Sequence, residues 1–274
     1  MRHLKTLAVA CAALLSFALA GAAHAQDALA RAKAKGVLVI ATEEQFPPFD
    51  FIKDGKHVGF NVDYFEEVGK KMGLKLEWID LPWASVLPGL QAKKYDLVAG
   101  PASITVERQK VLRFLPPITS VEAMIQIRKG EKGISSLADI AGKKIGAERA
   151  SYADNEVKKF GATLPNPPTI IEYQDTAQAA ADLEAGRLDG VANSSSNVKD
   201  SVKRRPDAFD LIPTGFGLKT YSGFMIRKDD DSKTLFDAVS ATMLDIKKEG
   251  KLTELQKQWL GEAVEVPDAA PELK

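Results

Sequence analysis

The chain has 274 residues, 45% of them hydrophobic, with 37 basic and 37 acidic side chains, three histidines and one cysteine. That length can bury one large core or two ordinary ones, and the balanced charge argues against a basic nucleic-acid binder or a charged disordered chain. Arg2 and Lys5 precede an apolar run from Leu7 to Ala23, and Ala23-His24-Ala25 has the small-x-small form of a processing site. Residues 1–25 are therefore expected to be a cleaved signal peptide. The apolar run is shorter than the roughly 20 residues that a membrane-spanning helix needs. Without that segment the chain keeps 35 basic and 37 acidic groups, no cysteine, and His57 as its single histidine. Disulfides, thiol catalysis and a cysteine-ligated zinc site are then excluded. A two-histidine metal site within one chain is excluded as well, and any Ser-His-Asp triad would have to use His57.

Short apolar runs then alternate with amphipathic segments, the pattern of an α/β fold with parallel strands. Residues 36–42 read as a buried strand. Val62, Phe65, Val68 and Met72 recur at helical spacing and are followed by Gly73, a natural stop. A strand over 75–79, a short helix over 85–93 and a strand over 96–99 complete a doubly wound half-sheet. The rhythm restarts with a strand at 144–147, a helix at 152–160, a strand at 169–173, a helix at 176–185 and a strand at 188–192. Two such sets imply two similar lobes, because a barrel would need eight strand–helix repeats.

Extended stretches at 120–128 and 217–227 follow the two sets. They are expected to cross between lobes and to act as hinges. Lobe 1 is then 26–119 with 222–274, and lobe 2 is 124–216. Helices over 232–248 and 252–260 close the chain, and the aperiodic segment 264–274 reads as a poorly ordered tail. Gly215-Phe-Gly217 is followed by Thr220 where a dinucleotide fingerprint needs glycine.

One segment carries chemistry on its own terms. Ser103 to Arg108 (SITVER) follows a parallel strand at the point where a helix should start. Ligands of open α/β sheets bind beyond the carboxyl ends of the strands, and helix N-termini there offer free N–H groups to an anion. An arginine in that first turn can grip a carboxylate with two parallel hydrogen bonds.

Seven blocks, in order, give the chain a resemblance to a known family. They are Ala41 to Phe49 (ATEEQFPPF), Val58 to Asp63 (VGFNVD), Leu81 to Leu90 (LPWASVLPGL), Ser103 to Arg108, Ser136 to Gly146 (SLADIAGKKIG), Gly186 to Asp189 (GRLD) and Lys257 to Gly261 (KQWLG). Together they resemble the polar amino-acid family of periplasmic solute-binding proteins that serve ABC importers, over nearly all of the chain after residue 25. The resemblance implies a periplasmic, two-lobed protein that captures a small carboxylated solute, an amino acid or close derivative, in an interlobe cleft. It implies delivery to a membrane permease, a monomer, and no cofactor, metal or nucleic acid.

The resemblance also implies residue roles. Arg108 would hold the ligand's α-carboxylate, with Ser103 assisting and Pro101 nearby. Phe46 and Trp83 would form the walls around the ligand's body, and Glu43 would face its side chain. Ser151 would donate from a loop that usually reads Gly-Thr-Thr, and Tyr152 departs from that pattern by adding a ring. Ser194 is the sharpest departure, since the family generally has an acid there for the α-ammonium. Two alternatives stay open on that ground: a binder of an amine-free organic acid, or a dehydratase-like enzyme on the same scaffold with Glu43 or Glu148 as acid or base. A receptor's sensing domain is a third.

Overall fold

The computed structural model describes residues 27–273. The signal-peptide expectation lies outside the described residues. Helix α1 (Ala28–Lys35) opens on an Asp27 side chain that accepts from Ala30 N, and it ends at Gly36 in the left-handed conformation. Strand β1 (Val37–Thr42) leads into a small antiparallel sheet of β2 (Gln45–Phe46), β3 (Asp50–Lys53) and β4 (Lys56–Val58). Helix α2 (Phe60–Met72), strand β5 (Lys75–Asp80), helix α3 (Trp83–Gln91) and strand β6 (Leu97–Ser103) follow. Gly59 is required where α2 begins: its φ is 138°, and a Cβ there would lie 2.1 Å from Phe49 O. That close approach lets Phe49 and Phe60 pack edge to face with ring centroids 6.0 Å apart.

Helix α4 (Val106–Val111) and strand β7 (Leu112–Phe114) lead to the long strand β8 (Thr119–Arg128). The second half holds β9 (Lys144–Glu148), α5 (Tyr152–Gly161), β10 (Thr169–Tyr173), α6 (Thr176–Glu184), β11 (Gly190–Ser194), α7 (Ser195–Arg204) and β12 (Phe209–Leu211). The chain returns along β13 (Phe216–Arg227) and finishes with α8 (Lys233–Lys248), α9 (Lys251–Leu255) and a π-helical turn at Gln256–Leu260.

The main sheet runs in the order β10-β9-β11-β8-β13-β6-β1-β5. β1 pairs in parallel with β5 and β6 on one side, and β9 pairs in parallel with β10 and β11 on the other. These are the two doubly wound halves that the alternation predicts. The crossings are more specific than two loose linkers. β8 and β13 pair with each other antiparallel, Thr119 opposite Ser222 and Ala123 opposite Phe216. The hydrogen-bonded path is therefore continuous from one half to the other through its two longest connections.

Each half has its own core. In the first, Phe49, Phe60, Tyr64, Phe65 and Phe224 are buried together with Leu38, Ile40 and Leu97. In the second, Ile125, Ile145, Val157 and Ile212 form the centre of a smaller cluster. A fully buried side chain of this size contributes about 1.5–3 kcal/mol over its exposed state.

The segment 264–273 corrects the expectation of a loose tail. Val266 is buried in the first core, and Lys247 Nζ donates to Val266 O at 2.6 Å and to Asp268 at 2.5 Å. Gln109 Nε2 donates to Pro271 O at 2.8 Å, and Leu273 N donates back to Gln109 at 3.1 Å. A segment pinned by single side chains rather than by a helical or strand face carries no period to read.

Candidate functional site

A cavity of about 620 Å³, its open mouth included, lies between the halves, beyond the carboxyl ends of β1, β6, β9 and β11. All nine residues expected at a binding site line it. Glu43, Phe46, Trp83, Pro101, Ser103 and Arg108 come from the first half, and Ser151, Tyr152 and Ser194 come from the second.

Phe46 stacks on Phe49, with centroids 5.7 Å apart and planes 13° from parallel, so this wall is backed by the core. Trp83 starts α3 and is buried. Its indole has room because residue 100 is glycine, where a Cβ would stand 3.1 Å from the ring. The Arg108 guanidinium lies over that indole, 5.5 Å from its centroid, a cation–π contact. Arg108 Nη1 donates to Ser103 O at 3.0 Å. Burial pulls the guanidinium down to about 10, against the opposing fields of Glu107 and Glu148. It stays charged at neutral pH, and among the described residues it has no carboxylate within salt-bridge distance. Thr105 caps the short helix beneath it, accepting from Arg108 N at 3.3 Å.

The second half meets the cavity with helix starts. Ser151 Oγ accepts from Asp154 N at 3.0 Å at the head of α5, and Ser194 Oγ accepts from Asn197 N at 3.4 Å at the head of α7. Ala150 sits at φ 61°, a left-handed conformation that costs a residue with a Cβ about 1–2 kcal/mol. The Tyr152 hydroxyl donates to Leu218 O in β13, which fixes the ring at the cavity edge.

The halves also touch each other directly. Trp83 Nε1 donates to Ala150 O at 3.2 Å, Thr176 Oγ1 to Gln45 O at 2.7 Å, and Asn197 Nδ2 to Pro47 O at 2.8 Å. Asn197 is itself held by Asn193, whose Nδ2 donates to Asn197 Oδ1 at 2.8 Å. The cleft is closed in this structure.

Sequence reasoning did not point to Asp50, Asn193, Ser196 or Ser222, which also line the cavity, and it named Glu148 only as a possible acid or base of an enzyme. Asp50 is buried, bonded to His57 Nε2 at 2.9 Å and to Asn61. Burial pushes the His57 imidazole down, but the Asp50 hydrogen bond and charge, with Glu44 and Asp80, outweigh it and raise its pKa. Glu148 ends β9 and meets Glu43, which directly follows β1; burial and the neighbouring carboxyl push Glu43 up, and burial pushes Glu148 up. Asn193 sits beside Ser194 in a run of small polar residues that has no distinctive spacing.

Among the described residues no helix is long and apolar enough to cross a membrane, and no cluster of side chains is suited to a metal ion. A protein of Haemophilus influenzae described as "Probable amino-acid ABC transporter-binding protein" is 27% identical over 252 residues, covering 91% of this chain and 95% of that protein. The L-cystine-binding protein TcyA of Bacillus subtilis is 30% identical, covering 87% of this chain and 86% of that protein. An ancestral arginine-binding protein bound to arginine superposes with a TM-score of 0.75 at 30% identity, covering 82% of this chain and 98% of that one. Residues 38–262 match the bacterial extracellular solute-binding proteins, family 3. The chain therefore belongs to that family of solute-binding proteins, and the two relatives named here are described as binding proteins rather than as enzymes.

Proposed function

We propose that the protein captures an amino acid, or a close derivative with a free carboxylate, between its halves in the periplasm and hands it to the permease of an ABC importer. The observation that carries this reading is Arg108: a guanidinium deep in a closed cleft, stacked on Trp83 and bonded to one carbonyl, with no carboxylate within salt-bridge distance among the described residues. Burying a cation with no carboxylate in direct contact is costly, and a ligand carboxylate that bonds to it offsets that cost. Phe46 and Trp83 wall the ligand's body, Pro101, Ser103 and Tyr152 border it, and Ser151 and Ser194 supply polar contacts from the opposite side. In this reading 26–119 with 222–274 forms one lobe and 124–216 the other. The β8–β13 crossing is the hinge, and the protein acts as a monomer.

Ser194 supports a narrower alternative, a ligand with no ammonium group at all, because no acid stands at that position. Glu43 and Glu148 weigh against it, since they supply negative charge in the same cavity. A thermal-shift panel of the standard amino acids beside amine-free organic acids separates the two. A ligand at a hundred times its dissociation constant raises stability by about 2.7 kcal/mol. The proposal expects a shift from at least one amino acid; a shift from the organic acids alone favours the alternative.

A further inference from the structure

Glu43 and Glu148 approach each other from opposite halves of the molecule, at the ends of two strands that share no hydrogen bonds. Both line the cavity, and they are only 5% and 6% exposed. Their carboxyl groups are close enough to share a hydrogen bond, yet Oε1 of each is buried without any partner. Two ionised carboxylates cannot sit in contact in a poorly solvated site, and one shared proton resolves the conflict. Arg108 is a cation that faces Glu148 of the pair. Asp175 and Asp80 face the pair as well and add negative potential. Each of these has its own donor: Asp175 accepts from Gln178 N at 2.8 Å, and Asp80 accepts from Glu44 N at 2.9 Å.

We propose that Glu148 is a specificity-determining residue: with Glu43 it forms a two-carboxylate seat for cationic groups, and a cationic amino acid takes the place of the proton that the two carboxyls share in the empty cleft. This rests on the amino-acid reading of the site. The charge balance is explicit. In the empty cleft the pair with one proton carries one negative charge, which offsets Arg108. A zwitterionic amino acid adds no net charge, so the proton stays. A cationic amino acid adds one positive charge, and neutrality returns when the shared O–H bond breaks and the proton passes to solvent. Ser194, being uncharged, leaves both carboxylates to these cations. Because the two glutamates belong to opposite halves, the seat is complete only when the cleft is closed.

Isothermal calorimetry of the purified chain with L-arginine and with L-glutamine, each in phosphate and in Tris near neutral pH, tests this directly. The buffers differ in ionisation enthalpy, so the difference in heat counts the protons released. About one proton should leave per arginine bound and none per glutamine, since only arginine displaces the shared proton. Glu148→Gln should abolish the arginine proton release and weaken arginine at least roughly tenfold more than glutamine, the size expected for a charged hydrogen bond. Arginine binding with equal heats in both buffers overturns the proposal and leaves the amino-acid reading standing. Equal weakening of both ligands by Glu148→Gln also overturns it. Failure of every amino acid to bind overturns both readings together.

Discussion

On the side of β1 and α3 the cleft wall is an extension of the core: Phe46 stacks on Phe49, which packs on Phe60, which stacks on Tyr64 with centroids 5.7 Å apart. On the side of β9 and β11 the wall is made of helix starts, where Ser151 and Ser194 accept from the first turns of α5 and α7. The first kind of wall is rigid because moving it means repacking aromatic rings at interior density. The second is polar and already hydrogen-bonded, and it reaches the first wall through single bonds from Ala150, Thr176 and Asn197. A closing cleft is well served by this division. In the proposed closure, one face holds its shape and the other exchanges a few hydrogen bonds as it docks.

The most disruptive way to break the contrast is Phe49→Ala, which removes the ring between the wall and the core. It should lower stability by about 3–5 kcal/mol in chemical denaturation and loosen ligand binding as well, because Phe46 loses its backing. Arg108→Ala should separate the two properties. It should cost about 1.5–3 kcal/mol of amino-acid affinity by calorimetry while leaving the melting of the empty protein nearly unchanged. Equal losses in both would mean that Arg108 is a structural residue.

The carboxyl pair gives the contrast a pH dependence. Both glutamates are raised above the ordinary value of 4.5, principally by burial. The folded state therefore holds protons that the unfolded chain has released, and stability present below that value is lost as pH rises through the raised range. Denaturation of the empty protein across a pH series should show this decline, and Glu148→Gln should flatten it. The smallest effect belongs to the second wall. Ser151→Ala removes one helix cap and one polar contact to the ligand, and should cost about 0.5–2 kcal/mol of stability and about 0.5–1.5 kcal/mol of affinity.

Much of this was legible in the sequence because repeated signals coincide. The strand–helix alternation marked both half-sheets, and the resemblance carried by the seven ordered blocks pointed to nine residues, five inside the blocks and four near them, that line one cavity. The parts that were not legible lack a period. Helix α7 (SSNVKDSVKR) buries Ser195, Asn197, Val198 and Ser201, so it shows no apolar stripe, and only its position after β11 marks it. The segment 264–273 docks through isolated contacts. Glu148 ends a strand (KIGAE) and reads simply as a possible acid or base. Its significance depends on Glu43, 105 positions earlier in the chain, and only the fold brings the two together.

If Arg108 holds the ligand's carboxylate, an amino acid that binds must bind far better than the amine left when its carboxylate is removed. Calorimetry on the intact chain should find one amino acid bound per molecule. The matching amine should be weaker by at least about tenfold, the lower end for a charged hydrogen bond. If the amine binds as tightly as the amino acid, the carboxylate is not what the cleft recognises, and the account of Arg108 is wrong.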